Sequence, residues 1–191
     1  MKFKLGFPAE PVSLLKQPAK LTLPLKKTYT IATIVGLVIL MPAIYLIWRL
    51  QWGDDVIFGV FREDTIFPLL AAIATTVILH ELAHLIAHPH LGLSDWSYAG
   101  VDQKTGFAYV QYLGTVSKLR FFAMGLMPLI LGTALPLWLS TIYPECASFI
   151  AFVSIFNAVG AGADVFILWT VWREVPKGKY LQGLYFGDLL N

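Results

Sequence analysis

Residues 67–87 read FPLLAAIATTVILHELAHLIA, an apolar run long enough to cross a membrane as a helix. Its only charged residue is Glu81, which lies inside the motif H-E-L-A-H at residues 80–84. A carboxylate and imidazoles at membrane depth are costly, so such residues usually have a function. The stretch therefore predicts a membrane helix that carries a polar site.

The composition of the whole chain also indicates a membrane protein. Of its 191 residues, 57% are hydrophobic and 14% are charged, whereas about 25% of a soluble domain is charged. The single cysteine, Cys146, excludes an intrachain disulfide and a zinc site built from cysteines. Residues 1–29 carry six lysines and lack the apolar core of a signal peptide. We predict a basic cytosolic or interfacial segment there.

Four apolar segments are long enough to span a membrane as helices, at residues 30–48, 66–87, 121–142 and 147–172. The third contains Pro128 and Pro136, which a membrane helix tolerates when its neighbours satisfy the freed carbonyls. Lysine and arginine are concentrated on alternate sides of the four spans. Since positive residues favour the cytosolic side, we predict cytosolic N- and C-termini. Residues 30–172 would then form one membrane domain, and residues 173–191 a cytosolic tail.

The loop between the second and third spans has the pattern of a β-hairpin. Residues 96–100 and 107–112 flank the sequence DQKTG at 102–106, which contains a turn glycine. The expected fold is therefore an all-α membrane protein with one small hairpin-like cytosolic loop. The hairpin either covers the helix ends or offers an exposed edge strand that pairs with an unwound peptide.

The H-E-x-x-H motif predicts a metal site. On a helix, positions i and i+4 share one face, so His80 and His84 can bind one ion with Glu81 beside it. Catalytic zinc takes three protein ligands and a water. Asp164 is the one other acid in the spans. It lies about 25 Å along the fourth span, close to the depth of His80, about 21 Å along the second.

Several alternatives for the third ligand stay open. Residues 80–90 read HELAHLIAHPH, which is the metzincin spacing with His90 as third ligand, except that alanine replaces the glycine of that motif. His88 shares a helical face with His84, although it also suits an interfacial position at the helix end. With either histidine, Asp164 would remain an unexplained intramembrane acid. Asn157 lies seven residues before Asp164, where it could orient a ligand, bond a substrate carbonyl or join two helices.

With these residues the chain resembles the putative zincin peptidases, small multi-span bacterial membrane proteins related in design to the site-2 proteases. The resemblance extends over residues 66–172 and is carried by His80, Glu81, His84, Asn157 and Asp164. In site-2 proteases the distal aspartate precedes a glycine, whereas here Val165 follows. The resemblance implies a Zn²⁺-dependent metallopeptidase in the bacterial plasma membrane.

The expected activity is hydrolysis of peptide bonds in membrane or membrane-proximal proteins, with no nucleic-acid partner. Zinc would lower the pKa of a water toward about 7, and Glu81 would act as general base. The alternative is a non-catalytic membrane protein, such as a sensor, a carrier or a pseudoprotease partner, that binds metal through the same residues. A glutamate directly after the first ligand serves catalysis, whereas metal binding alone does not need it.

Overall fold

The computed structural model describes residues 1–6, 13–23, 25–62, 66–103, 106 and 108–190. Within these ranges the α-helices are α1 (Leu25–Ile34), α2 (Met41–Trp52), α3 (Asp54–Ile57), α4 (Phe67–Ala87), α5 (Lys118–Leu129), α6 (Leu135–Ile142) and α7 (Ala147–Glu174). The strands are β1 (Lys2–Leu5), β2 (Leu15–Lys20), β3 (Ser97–Val101), β4 (Ala108–Tyr112), β5 (Val116–Ser117), β6 (Tyr180–Gln182) and β7 (Tyr185–Leu189).

The described residues contain four helical runs that are long and apolar enough to cross a membrane, which confirms the predicted number of spans. The runs are Thr30–Trp52, Phe67–Ala87, Lys118–Ile142 and Pro144–Glu174. In the first and third runs a π-helical turn, Val35–Leu40 or Ile130–Ala134, joins two α-helices. The second of these turns begins two residues after Pro128. Proline lacks an N–H and disturbs the regular hydrogen-bond ladder.

The expectation of an all-α fold is wrong, because the structure also contains two β-sheets. One has the strand order β1-β3-β4 and the other β2-β7-β6-β5. The predicted hairpin is confirmed as β3 and β4, which pair antiparallel from Ser97 opposite Tyr112 to Val101 opposite Ala108. Residues 104, 105 and 107 of this hairpin lie outside the described residues.

Apart from β5, which directly precedes α5, the additional strands come from the two ends of the chain, where the sequence predicted only a basic segment and a tail. β1 lies parallel to β3, and β7 pairs with β2 and β6. These terminal strands are three to six residues long, and β2 contains a proline, so their local sequence signal is weak. Pairing with strands from distant parts of the chain stabilises them, which local sequence patterns do not reveal.

By contacts between backbone segments, the chain divides into two compact units. The first comprises residues 1–24, 81–126 and 167–191, and it contains both sheets. Gln182 and Lys118 are among the side chains that connect its segments. Gln182 Nε2 donates to the Leu113 carbonyl at 3.1 Å, and Gln182 Oε1 accepts from the N–H of Leu14 at 2.8 Å. Lys118 Nζ donates to the Val175 carbonyl at 2.6 Å, just after α7 ends.

The second unit comprises residues 25–80 and 127–166. Two indoles of α2 connect the first helical run to others within it. Trp48 is fully buried, and its Nε1 donates to Ser154 Oγ of α7 at 3.0 Å. Trp52 Nε1 donates to Ser140 Oγ of α6 at 2.9 Å. Because hydrophobic burial drives association weakly in lipid, such hydrogen bonds and close packing hold membrane helices together.

The small residues of α7 make two different close contacts within this unit. A Cβ added at Gly160 would lie 3.5 Å from the His80 ring, so this glycine faces the second span. A Cβ at Gly162 would overlap the Ala32 carbonyl and the backbone of Gly36. Gly162 therefore permits a close approach of α7 to the first span.

Candidate metal centre

The C-terminal half of α4 carries the H-E-x-x-H motif in one uninterrupted helix. His80 and His84 lie one turn apart and share a face because an α-helix has 3.6 residues per turn. Glu81 directly follows His80 and is partly buried, as are both histidines. The geometry of α4 therefore presents two imidazoles together, as the sequence predicted.

Asp164 of α7 lies next to His80. Its Oδ2 atom is 3.3 Å from Nε2 of His80, and the two side chains are 16% and 14% exposed. One ligand atom from each of His80, His84 and Asp164 lies within 4.8 Å of the others. Two ligands of a tetrahedral zinc ion, each about 2.0–2.1 Å from the metal, are roughly 3.3 Å apart. The His80–Asp164 distance therefore suits two ligands of one ion.

Asn157 determines which nitrogen of His80 carries the proton. The amide Nδ2 donates to the Pro128 carbonyl at 2.9 Å, and Oδ1 lies 3.0 Å from Nδ1 of His80. Because the Pro128 carbonyl only accepts hydrogen bonds, the amide nitrogen of Asn157 must face it. Oδ1 of Asn157 then faces His80 and must accept a hydrogen bond from the imidazole. His80 therefore carries its proton on Nδ1, which leaves the Nε2 lone pair directed at Asp164 when the ring is neutral.

A main-chain carbonyl of α5 determines which nitrogen of His84 carries the proton. Nδ1 of His84 lies 3.0 Å from the carbonyl oxygen of Met124. Because that oxygen can only accept, His84 must donate from Nδ1, and its Nε2 is the atom available to a metal. Metal-binding histidines commonly donate their second ring N–H to a carbonyl or carboxylate, which fixes the tautomer and ring orientation.

These hydrogen bonds give a physical test of the metal assignment. With neutral His80, the Nε2 lone pair and a carboxylate oxygen of Asp164 face each other at 3.3 Å, and two such acceptors repel. A cation between them, either a proton on the imidazole or a metal ion, converts the repulsion into attraction. Two imidazoles and one carboxylate are the donor set that suits zinc. The residues present therefore fit a zinc ion.

His88 lies outside this group, in the core of the first unit. It is 2% exposed, whereas its sequence position suggested the membrane edge. Its Nδ1 is 3.2 Å from Ser97 Oγ, and Arg120 Nη2 donates to its carbonyl at 3.0 Å. Burial lowers the pKa of His88 to about 4, with smaller contributions from the charges of His84 and Arg120. A neutral ring that bonds Ser97 connects the end of α4 to β3.

His90 also lies outside the metal group. It is exposed in the turn Pro89–Gly92, with a left-handed φ of 56°. The structure thus places Asp164 with His80 and His84, and it places the two alternative histidines elsewhere.

Two backbone groups of the third span were missed from the sequence. The carbonyls of Met124 and Pro128 hold His84 and Asn157, respectively. The available signal was Pro128 itself, because a proline leaves the carbonyl four residues before it without its helical donor. Which side chain would use that carbonyl depends on how the helices pack.

The chain was compared with family models, curated proteins and solved structures. A model of the putative zincin peptidase family matches residues 73–180, more than half of the chain. The matched range includes His80, Glu81, His84, Asn157 and Asp164. Comparison with curated proteins and with solved structures gave no match.

Proposed function

Because the chain belongs to the putative zincin peptidase family, we propose that it is a membrane-embedded zinc metallopeptidase. Its substrates are membrane or membrane-proximal proteins. The observation that carries the proposal is the 3.3 Å approach of Asp164 to His80 on the helix that bears His84. Four helices apolar enough to cross a membrane support the membrane setting.

The residues of the candidate metal centre would have different roles in peptide hydrolysis. A zinc ion, when bound, supplies a Lewis acid that polarises the scissile carbonyl and lowers the pKa of the attacking water. His80, His84 and Asp164 would hold the ion. Glu81 accepts one proton of the water as the water oxygen bonds the carbonyl carbon, and it delivers this proton to the amide nitrogen as the C–N bond breaks.

The substrate must reach these residues in an extended form. The carbonyls of a helical substrate are already hydrogen-bonded within the helix, so a peptide has to unwind before attack. We place the site toward the cytosolic side, from the distribution of lysine and arginine around the spans. β4, the last strand in the order β1-β3-β4, is a candidate for pairing with the extended peptide.

Replacing Glu81 by Gln tests the catalytic assignment. The amide has nearly the same size but cannot accept the proton, so we expect zinc content unchanged and cleavage reduced at least about 100-fold. Zinc is measured by elemental analysis of the purified protein. Cleavage is measured with β-casein in micelles and with a single-span reporter in liposomes.

Glu145→Gln is the matched control, because Glu145 is exposed in the turn Pro144–Cys146 and lies outside the metal group. It should leave both readouts unchanged. Full cleavage by the Glu81→Gln protein would overturn the assignment. Zinc binding by the unaltered protein without cleavage of either reporter would favour the non-catalytic alternative.

A further inference from the structure

Pro128 interrupts the third span next to the metal centre. It is among the most buried residues of the described chain, within α5 and just before the π-helical turn Ile130–Ala134. In an α-helix the N–H of residue 128 would donate to the carbonyl of Met124. Proline has no N–H, so that donor is missing. In a membrane another group has to compensate for such a loss.

The group that bonds the Met124 carbonyl is a metal ligand. His84 Nδ1 lies 3.0 Å from this oxygen, and the oxygen can only accept. The missing N–H of Pro128 thus exposes an acceptor that holds the His84 imidazole with Nε2 available to the metal. A carbonyl inside a regular helix would be less accessible, because the neighbouring turn shields it.

The same interruption also holds His80, through Asn157. The Pro128 carbonyl accepts from Asn157 Nδ2 at 2.9 Å, and Asn157 Oδ1 accepts from His80 Nδ1 at 3.0 Å. A Cβ at Gly132, one turn after Pro128, would overlap the Asn157 amide. The Asn157 side chain can therefore occupy this position only because residue 132 is glycine.

We propose that the proline-interrupted segment Met124–Gly132 is the positioning element of the metal site. Its two carbonyls set the tautomer and orientation of both histidine ligands, one directly and one through Asn157. The inference rests on the metal site of the proposed function, but it concerns the imidazoles themselves and does not require peptide cleavage. The segment positions the ligands and takes no part in the reaction.

The tautomers of the metal-free protein provide the test, measured by ¹⁵N NMR of labelled histidine in detergent micelles. In the unaltered protein we expect both His80 and His84 as the Nδ1–H tautomer. Pro128→Ala restores the N–H and a regular turn, so His84 should become a mixture of tautomers. Gly132→Ala displaces Asn157, so His80 should become a mixture while His84 is unchanged. Zinc affinity, measured by chelator competition with zinc alone, should fall about tenfold in each variant.

Pro136→Ala is the matched control, since Pro136 is a second buried proline of the same span, at the start of α6. His80 Nδ1 bonds Asn157 and His84 Nδ1 bonds the Met124 carbonyl, rather than Pro136. This variant should therefore retain both tautomers and the zinc affinity. The proposal is overturned if Pro128→Ala leaves His84 in the Nδ1–H tautomer. It is also overturned if the Pro128 and Pro136 variants alter both histidines equally, because that result indicates general loosening of the span. If the unaltered protein shows both expected tautomers and binds zinc but cleaves no peptide, that result contradicts the proposed function and leaves the positioning role intact.

Discussion

At the scale of one residue, the surroundings of Asp164 favour a cation beside it. Placing an aspartate at the centre of a membrane helix costs about 3 kcal/mol on insertion scales. Its partner is His80, at 3.3 Å, and both side chains are largely buried. A carboxylate in this setting is stable when a positive charge lies beside it. This setting favours Asp164 over His90 as the proposed third ligand, since His90 lies exposed in a turn.

Asp164→Asn should reveal the third ligand. The substitution keeps the size of the side chain and removes its charge. We expect zinc affinity to fall by more than roughly 100-fold, the upper range for losing a group that merely orients a ligand. Chelator competition on the purified protein measures the change.

Two controls accompany this measurement. Asp95→Asn changes an exposed aspartate of the first unit, whose side chain is 89% exposed, and should have no effect. His90→Ala should also leave the affinity unchanged. If His90→Ala weakens binding and Asp164→Asn does not, the metzincin-like alternative is correct.

At the scale of elements, β4 is the strand that we propose for pairing with the substrate. It pairs with β3 on one side and is last in its sheet order among the described strands. In an antiparallel pair, alternate residues direct their N–H groups away from the neighbouring strand. β4 therefore has backbone donors and acceptors on the side opposite β3, which is the arrangement used in strand addition.

Proline substitution within β4 tests this role. Val110→Pro and Gln111→Pro each remove one N–H, and since the residues are adjacent, one N–H faces β3 and the other faces away. The variant that removes the N–H facing away from β3 should slow β-casein cleavage about fivefold, which is the effect of losing one hydrogen bond of about 1 kcal/mol. Zinc content should stay unchanged. Equal cleavage by the outward variant and the unaltered protein would exclude strand addition at β4.

At the scale of the whole molecule, the four apolar helical runs of the described residues predict which loops face each side of a bilayer. An even number of spans puts both termini on the same side. The lysine-rich N-terminal segment and the basic residues after the fourth run favour the cytosol for both. We therefore predict that the turn Pro144–Cys146, at the start of the fourth run, faces the outside.

The native Cys146 tests this orientation without any added tag, because it is the only cysteine and is exposed. We expect a membrane-impermeant maleimide to label it in intact cells. As a control, Ser13→Cys in a Cys146→Ser background should be labelled only after lysis, since Ser13 is exposed in the N-terminal segment. The reverse pattern would invert the predicted orientation.

The sequence by itself determined the number of spans and the helix that presents His80 and His84. Both follow from local properties, because hydropathy selects spanning segments and helical periodicity puts positions i and i+4 on one face. The pairing of Asp164 with His80 was also predicted, since few acids occur in the spans and their depth can be counted. The β3–β4 hairpin was predictable because its strands are close in sequence.

Only the tertiary structure decided the features that depend on distant contacts. Strands from both ends of the chain pair into sheets, although each is only three to six residues long. His88 is buried against Ser97, where its position at the end of a span suggested exposure. Asn157 and the Met124 carbonyl hold the two ligand histidines. Hydrogen-bond partners of this kind are set by helix packing, since one backbone carbonyl is chemically like any other until the fold brings a donor to it.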